Sequence, residues 1–197
     1  MLIYSLIIVL GGISIALLNI FFNPQFADKP WVYALLTLGL IITVILIDGL
    51  VAFLMRRLPE KWFKEEKGIL KTTKFELKLY NFLHVSKWKE HVPELGSFTG
   101  FHKNKVTNPF DSEYLARFIL EARYGAVIHF ASVPTSFLVL LLDVWMYTGP
   151  SSIWLTIALP VAVVNAILIL LPAFVLKYNL PKLQRLYQVS LAKKKKD

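Results

Sequence analysis

Four stretches of this chain stay apolar long enough to cross a bilayer, at about 2–22, 32–55, 113–143 and 153–176. Each reaches the ~20 residues that carry a helix across ~30 Å of hydrocarbon. In lipid every backbone N–H and C=O must be satisfied within its own segment, so these stretches read as helices. The expected fold class is an all-α membrane protein of about four transmembrane helices, with a cytoplasmic amphipathic helical segment between spans two and three. A chain of 197 residues leaves room for one such bundle, so 1–197 is expected to form a single membrane domain, with the amphipathic segment at 56–112 and a basic tail at 177–197. The first run lacks a basic leader and an Ala-x-Ala-like cleavage site, and is expected to be retained as a span.

Punctuation agrees with this division. Asn23-Pro24 ends the first run, Trp31 and Tyr33 mark an interface, and Arg56-Arg57 stop the second run. Tyr147-Thr148-Gly149-Pro150 turns the chain before span four, in which Pro172 is expected to kink the helix. Only 18% of residues are charged, yet the formal net charge is +9, so what charge remains is mostly basic. In so apolar a chain that excess fits anionic lipid headgroups and the positive-inside rule, and no nucleic-acid partner is expected. The loop after span one holds Lys29 and the loop after span three holds no Lys or Arg. A multi-pass protein of the cell membrane with both termini and the long 56–112 segment in the cytoplasm follows. Cysteine is absent, which excludes disulfides, thiolate catalysis and Cys-ligated metal.

Span three carries the ionisable groups. On a helical wheel Arg117, Glu121, Gly125, His129, Ser132 and Ser136 fall within an arc of about 120°. Such a stripe is costly against lipid, so it is expected to face protein or a cavity. Asp48 in span two is expected to point inward as well, either toward water and an arginine or as a polar partner of the stripe. Asn165, Pro172 and Asn179 share a face of span four; interhelical hydrogen bonds are the default for Asn165, and both asparagines are candidate substrate contacts.

In the long polar segment, Leu58-Pro59-Glu60-Lys61-Trp62-Phe63 reads as a helix start and Gly68 as its stop. Phe75, Leu79, Phe82 and Leu83 recur at helical spacing among Lys71, Lys74, Lys78, Lys87 and Lys89, with Trp88 beside them. This fits a helix in the headgroup layer that is either a solvated basic face or a surface for an acyl donor or anionic lipid. Pro93, Gly96 and Gly100 then form a loop to Asn108-Pro109, and Asp111 or Ser112 caps span three.

No Gly-rich phosphate loop, His-Glu-x-x-His zinc helix or Gly-x-Ser-x-Gly elbow occurs. None of His84, His91, His102 and His129 is followed five residues on by Asp, so the glycerolipid acyltransferase pattern is missing too. No bound cofactor and no metal site are expected. What remains is His129 and Glu121 on one face, about 12 Å apart along the axis, too far to bond directly. As a catalytic pair they need a substrate hydroxyl, a water or another residue between them, with His129 as general base. The plain alternative for His129 is a hydrogen-bonded core histidine. Arg123 lies off the stripe, where snorkelling is the plain reading and substrate binding the functional one.

Four pieces in order carry a family resemblance: Arg57-Leu-Pro-Glu-Lys-Trp-Phe63, then Lys87-Trp-Lys89 with Pro93, then Glu121-Ala-Arg-Tyr-Gly-Ala-Val-Ile-His129, then Lys177-Tyr-Asn-Leu-Pro-Lys-Leu-Gln-Arg-Leu186. Together they resemble the small integral-membrane glycosyl-4,4'-diaponeurosporenoate acyltransferases, which place a fatty acyl group on the sugar of a glycosylated carotenoid. The family's tail reads closer to Gln-Arg-Tyr-Asn-Arg-Pro-Arg-Leu, where this chain has Leu176, Lys177, Leu180 and Lys182 in place of the Gln and the three arginines. Losing those forks weakens bidentate grip on carboxylate or phosphate.

The resemblance implies an acyl thioester donor, acyl-CoA or acyl carrier protein, and a lipid-linked sugar acceptor. Membrane lipids and other enzymes of lipid or carotenoid biosynthesis are the expected partners. His129 and Glu121 are then the catalytic candidates. Arg117, Arg123, Asp48, Lys87, Trp88, Lys89, Asn165 and Asn179 are the substrate-binding ones. Two rivals stand beside this reading: a non-catalytic membrane scaffold or lipid-binding module, and another membrane transferase such as a methyltransferase.

Overall fold

The computed structural model describes residues 2–22, 28–92, 106–146 and 153–194. The described residues form helices and no strand. The α-helices are α1 (Leu2–Phe22), α2 (Pro30–Arg56), α3 (Lys61–Lys64), α4 (Lys74–Phe82), α5 (Val85–Trp88), α6 (Ser112–Thr135), α7 (Val139–Met146) and α8 (Leu159–Lys194). Four segments are long and apolar enough to cross a membrane: Ser5–Phe22, Pro30–Arg56, Ser112–Leu142 and Leu155–Lys194. The protein is an all-α membrane protein with the four spans that the apolar runs predict. The expected turns at Asn23-Pro24 and Tyr147-Pro150, the loop with Pro93, Gly96 and Gly100, and His102 lie outside the described residues. Contacts divide the chain into two compact units: Met1–Phe53 with Ala131–Ile169, and Leu54–Phe130 with Leu170–Asp197.

The first unit is built by apolar packing along single helix faces. Tyr33, Leu40 and Val44 of α2 share a core with Val139, Ile153, Ile157, Ala158, Val161 and Ala162. The spacing from Tyr33 through Thr37 and Leu40 to Val44 returns to one side of the helix, and Thr37 hides its hydroxyl by donating to the Tyr33 carbonyl at 2.8 Å. Leu10, Leu18, Leu35, Leu46 and Phe53 are all exposed, a surface suited to acyl chains as apolar as leucine itself. Asn19, buried on α1, donates from Nδ2 to the carbonyls of Ile15 and Thr156, each at 2.8 Å. The latter carbonyl belongs to a π-helical turn, Trp154–Ala158, so one amide fastens α1 to the irregular start of span four.

The second unit packs the first turns of α6 against the far half of α8. Phe118, Ile119, Ala122 and Ala126 meet Leu176, Leu180 and Leu183. Two further clusters hold the connecting segment: Tyr80, Val85 and Val92 around Val175, and Phe63 with Leu70 around Tyr124. Asp111 rather than Ser112 caps α6, its Oδ1 accepting from the N–H groups of Glu113 at 2.9 Å and Tyr114 at 3.1 Å. At α4, Thr73 Oγ1 accepts from Glu76 N while Glu76 Oε2 accepts from Thr73 N. That reciprocal pair is a capping box, readable in Thr73-Lys-Phe-Glu76.

Two expectations are corrected in this unit. The helix expected from Pro59 to Gly68 is only the four residues of α3, because the Arg123 guanidinium takes the carbonyls of Phe63 and Lys64 at the helix end. Arg123 is thus buried rather than snorkelling. Beyond the expected end of span four at about 176, the chain stays helical and continues α8 to Lys194, through Pro172 and Pro181. Pro181 has no N–H to give the carbonyl four residues earlier; that carbonyl, on Lys177, accepts from the Thr72 hydroxyl at 3.1 Å instead. On α4 Phe75 and Phe82 are exposed, and Tyr80 is the buried side chain.

Candidate functional site

The second unit contains an open cavity of about 1080 Å³. Its walls come from the end of α2 (Arg56), from α3 and its flanks (Glu60, Lys64, Glu66), from α6 (Arg117, Glu121, Arg123, Tyr124) and from α8 (Gln184, Arg185, Tyr187, Gln188). Arg117 and Glu121 are one turn apart on α6, which brings both to the same wall. Arg56 reaches Glu121 with Nη1 and Nη2, both 3.3 Å from Oε2. Glu121 Oε1 receives no hydrogen bond among the described residues. The Arg56 guanidinium also lies 6.0 Å from the Tyr124 ring centroid. Tyr124 stacks on Phe63 at 3.9 Å between centroids and donates its hydroxyl to the Leu58 carbonyl at 3.4 Å. Arg123 forms the back of this wall; its Nη1 holds two main-chain oxygens, whereas its Nε is buried with no partner.

Of the residues predicted from the sequence, Glu121, Arg117 and Arg123 meet in this cavity. His129 is half-buried farther along α6 and does not line it. Lys87, Trp88 and Lys89 lie elsewhere in the second unit. Lys87 is exposed, Trp88 donates from Nε1 to the Leu83 carbonyl at 2.9 Å, and Lys89 donates to Asn179 Oδ1 at 3.4 Å. Lys89 and Lys182 also flank the Tyr178 ring, at 5.8 and 4.3 Å from its centroid. Asp48 and Asn165 belong to the first unit, where Asn165 Nδ2 donates to Asp48 Oδ2 and to Ser136 Oγ, each at 2.9 Å. Asp48 Oδ1 is buried and unpartnered. Asn165 thereby links Asp48 to Ser136 at one end of the polar stripe.

Sequence reasoning missed Arg56, Arg185 and Lys177. Arg56 was visible only as the stop of span two, and Arg185 only as part of a basic tail. Lys177 is the most consequential omission. Its side chain is fully buried, and Nζ donates to the carbonyls of Ile69 and Lys71 at 2.7 Å each and to Glu76 Oε1 at 3.0 Å. Burial pushes the Glu76 carboxyl up, but the hydrogen bonds from Thr73 and the ammonium of Lys177 outweigh it and hold the group below its ordinary value of 4.5. The lysine standing where the resembling family has an arginine is therefore the anchor of the segment that precedes α4.

The arrangement offers a carboxylate with a free oxygen, several guanidinium groups and space for a large ligand, a donor set suited to group transfer between bound molecules. No curated protein and no solved structure matches the chain. A family model, glycosyl-4,4'-diaponeurosporenoate acyltransferase, matches residues 59–189 and thereby spans every segment of the cavity wall except Arg56. On that match the chain belongs to the glycosyl-4,4'-diaponeurosporenoate acyltransferase family.

Proposed function

We propose that the protein transfers a fatty acyl group from an acyl thioester to a hydroxyl of a lipid-linked sugar, such as a glycosylated carotenoid, at the cytoplasmic leaflet of the cell membrane. The observation that carries this reading is the large open cavity in which Glu121 keeps one oxygen unbonded beside several guanidinium groups. In the proposed step the acceptor hydroxyl oxygen attacks the thioester carbonyl and its proton passes to Glu121. The resulting oxyanion is stabilised by the cavity's positive charge; as it collapses the carbon–sulfur bond breaks, and the leaving thiolate takes the proton held by Glu121, which restores the carboxylate. Arg56 positions Glu121 through its two contacts with Oε2. Glu121 takes the role of base in place of His129, because His129 does not line the cavity.

The test uses purified protein with a radiolabelled acyl thioester and a glycosylated carotenoid acceptor. Glu121→Gln is expected to lower kcat by about 10²–10⁴-fold, while His129→Gln stays within about tenfold of the parent. Equal losses in the two variants return the base to His129. Undiminished turnover in both removes the proposed chemistry and favours a non-catalytic membrane module.

A further inference from the structure

We propose that the acyl donor is a phosphorylated carrier and that its phosphate is held by Arg117, Arg185 and Arg123. This rests on the acyl-transfer reading and names the donor's recognition element, which joins Arg117 and Arg123 of the predicted residues to Arg185 and leaves out the predicted lysines. Lys89 is engaged with Asn179 and Tyr178, and neither it nor Lys87 lines the cavity.

Three observations converge on phosphate. The cavity wall carries five basic side chains and three acidic ones, an excess of two positive charges. Lys64 is paired with Glu60 at 3.2 Å and Arg56 with Glu121 at 3.3 Å, so the excess resides on Arg117, Arg123 and Arg185 against Glu66. A cationic excess of that kind suits a phosphorylated ligand.

Arg117 and Arg185 are exposed on the cavity wall and neither has a partner among the described residues. Two unpaired guanidinium groups offer planar, bidentate donors of the kind that recognise phosphate. The third observation is Arg123, a side chain only 7% exposed whose Nε is buried without an acceptor. An unmet buried donor is costly to the fold, and this one belongs to a guanidinium that lines the cavity. Its Nη1 is fixed by the carbonyls of Phe63 and Lys64, so the guanidinium is oriented before any ligand arrives. A volume of about 1080 Å³ exceeds what one phosphate needs and leaves room for a pantetheine arm beside Glu121.

Phosphate reaches such a cavity from a soluble carrier such as coenzyme A or from the headgroup of a membrane lipid. The test places the full chain in nanodiscs of zwitterionic phosphatidylcholine and measures coenzyme A binding by calorimetry. Coenzyme A is expected to bind, with pantetheine, which lacks phosphate, at least about tenfold weaker. The double variant R117Q/R185Q, altered only at exposed positions, is expected to lose at least about tenfold in affinity while keeping its helical content. Glu121→Gln is expected to bind coenzyme A undiminished while transfer falls, which separates this proposal from the catalytic one.

A second arm measures a fluorescent phosphatidic acid in the same discs. If it alone binds, in a way that R117Q/R185Q abolishes, the phosphate site stands and the thioester reading falls. Binding of neither ligand, or coenzyme A binding that the double variant leaves unchanged, overturns the proposal.

Discussion

The two compact units solve the same problem, holding helices together in a membrane protein, with different means. In the first unit apolar faces interlock, and among the described residues two small polar devices serve: Asn19 on the Thr156 carbonyl, and Asn165 between Asp48 and Ser136. In the second unit two cationic side chains, Arg123 and Lys177, reach into a polar connecting segment and satisfy its free carbonyls. The first arrangement distributes its stability over many weak contacts. The second concentrates it in a few strong bonds, which is how a segment with so many charges keeps a defined shape around a cavity.

That contrast predicts a ranked set of mutational effects. Lys177→Met is expected to have the largest, destabilising the protein by about 3–5 kcal/mol, because it leaves Glu76 and two main-chain oxygens without their buried cation. Unfolding of the detergent-solubilised protein monitored by circular dichroism measures this, and limited proteolysis should cut first within residues 58–76. A loss under about 1 kcal/mol would erase the distinction between the units. Asn165→Leu in the first unit is expected to cost less, about 1–3 kcal/mol, by stranding Asp48 Oδ2, since Ser136 Oγ keeps its bond to the Ser132 carbonyl; Asn165→Gln should recover part of it.

A pH effect comes next and belongs to the second unit alone. The Glu76 carboxyl is held below its ordinary value of 4.5 in the folded protein, so its contribution is fully present above that value and is lost as pH falls through the lowered one. Stability measured from pH 6 downward should therefore decline, and Glu76→Gln should be less stable at pH 6 with a flatter profile, by about 1 kcal/mol. A decline of the same steepness in Glu76→Gln would move the effect to another carboxylate. The smallest change is expected at Gly12, where an added Cβ would meet Ile41 Cδ1 at 2.7 Å. That atom ends a flexible side chain, so Gly12→Ala should cost no more than about 1 kcal/mol; a larger loss would show that α1 and α2 cannot shift.

Much of the first unit is legible in the sequence. The apolar runs mark its spans, and Ser136, which the wheel groups with the stripe, is joined to Asp48 through Asn165 of span four. The second unit is legible only in fragments. Asp111 was one of two expected caps, and Thr73-Lys-Phe-Glu76 carries its own signature, but the short α3 and the long α8 defy local reading. Local pattern gave α3 an end at Gly68, whereas Arg123, 59 residues from Lys64, ends it earlier. Local pattern broke the fourth span at the lysine of position 177, whereas the lysine's charge is met by Glu76 and by oxygens more than 100 residues away.

The amino-acid sequence alone determined that this chain lives in a membrane, how many times it crosses, and which span carries the ionisable groups. Those are properties of each segment against its solvent, set by how many apolar residues run together. Only the tertiary structure decided which charges are spent on the scaffold and which remain for a ligand. Lys177 and Arg123 look like any basic residue in the chain, yet burial against distant carbonyls engages them, while Arg117 and Arg185 have no partner among the described residues and lie beside Glu121. Charge pairing depends on distance in space, and nothing in the local order of residues records that distance.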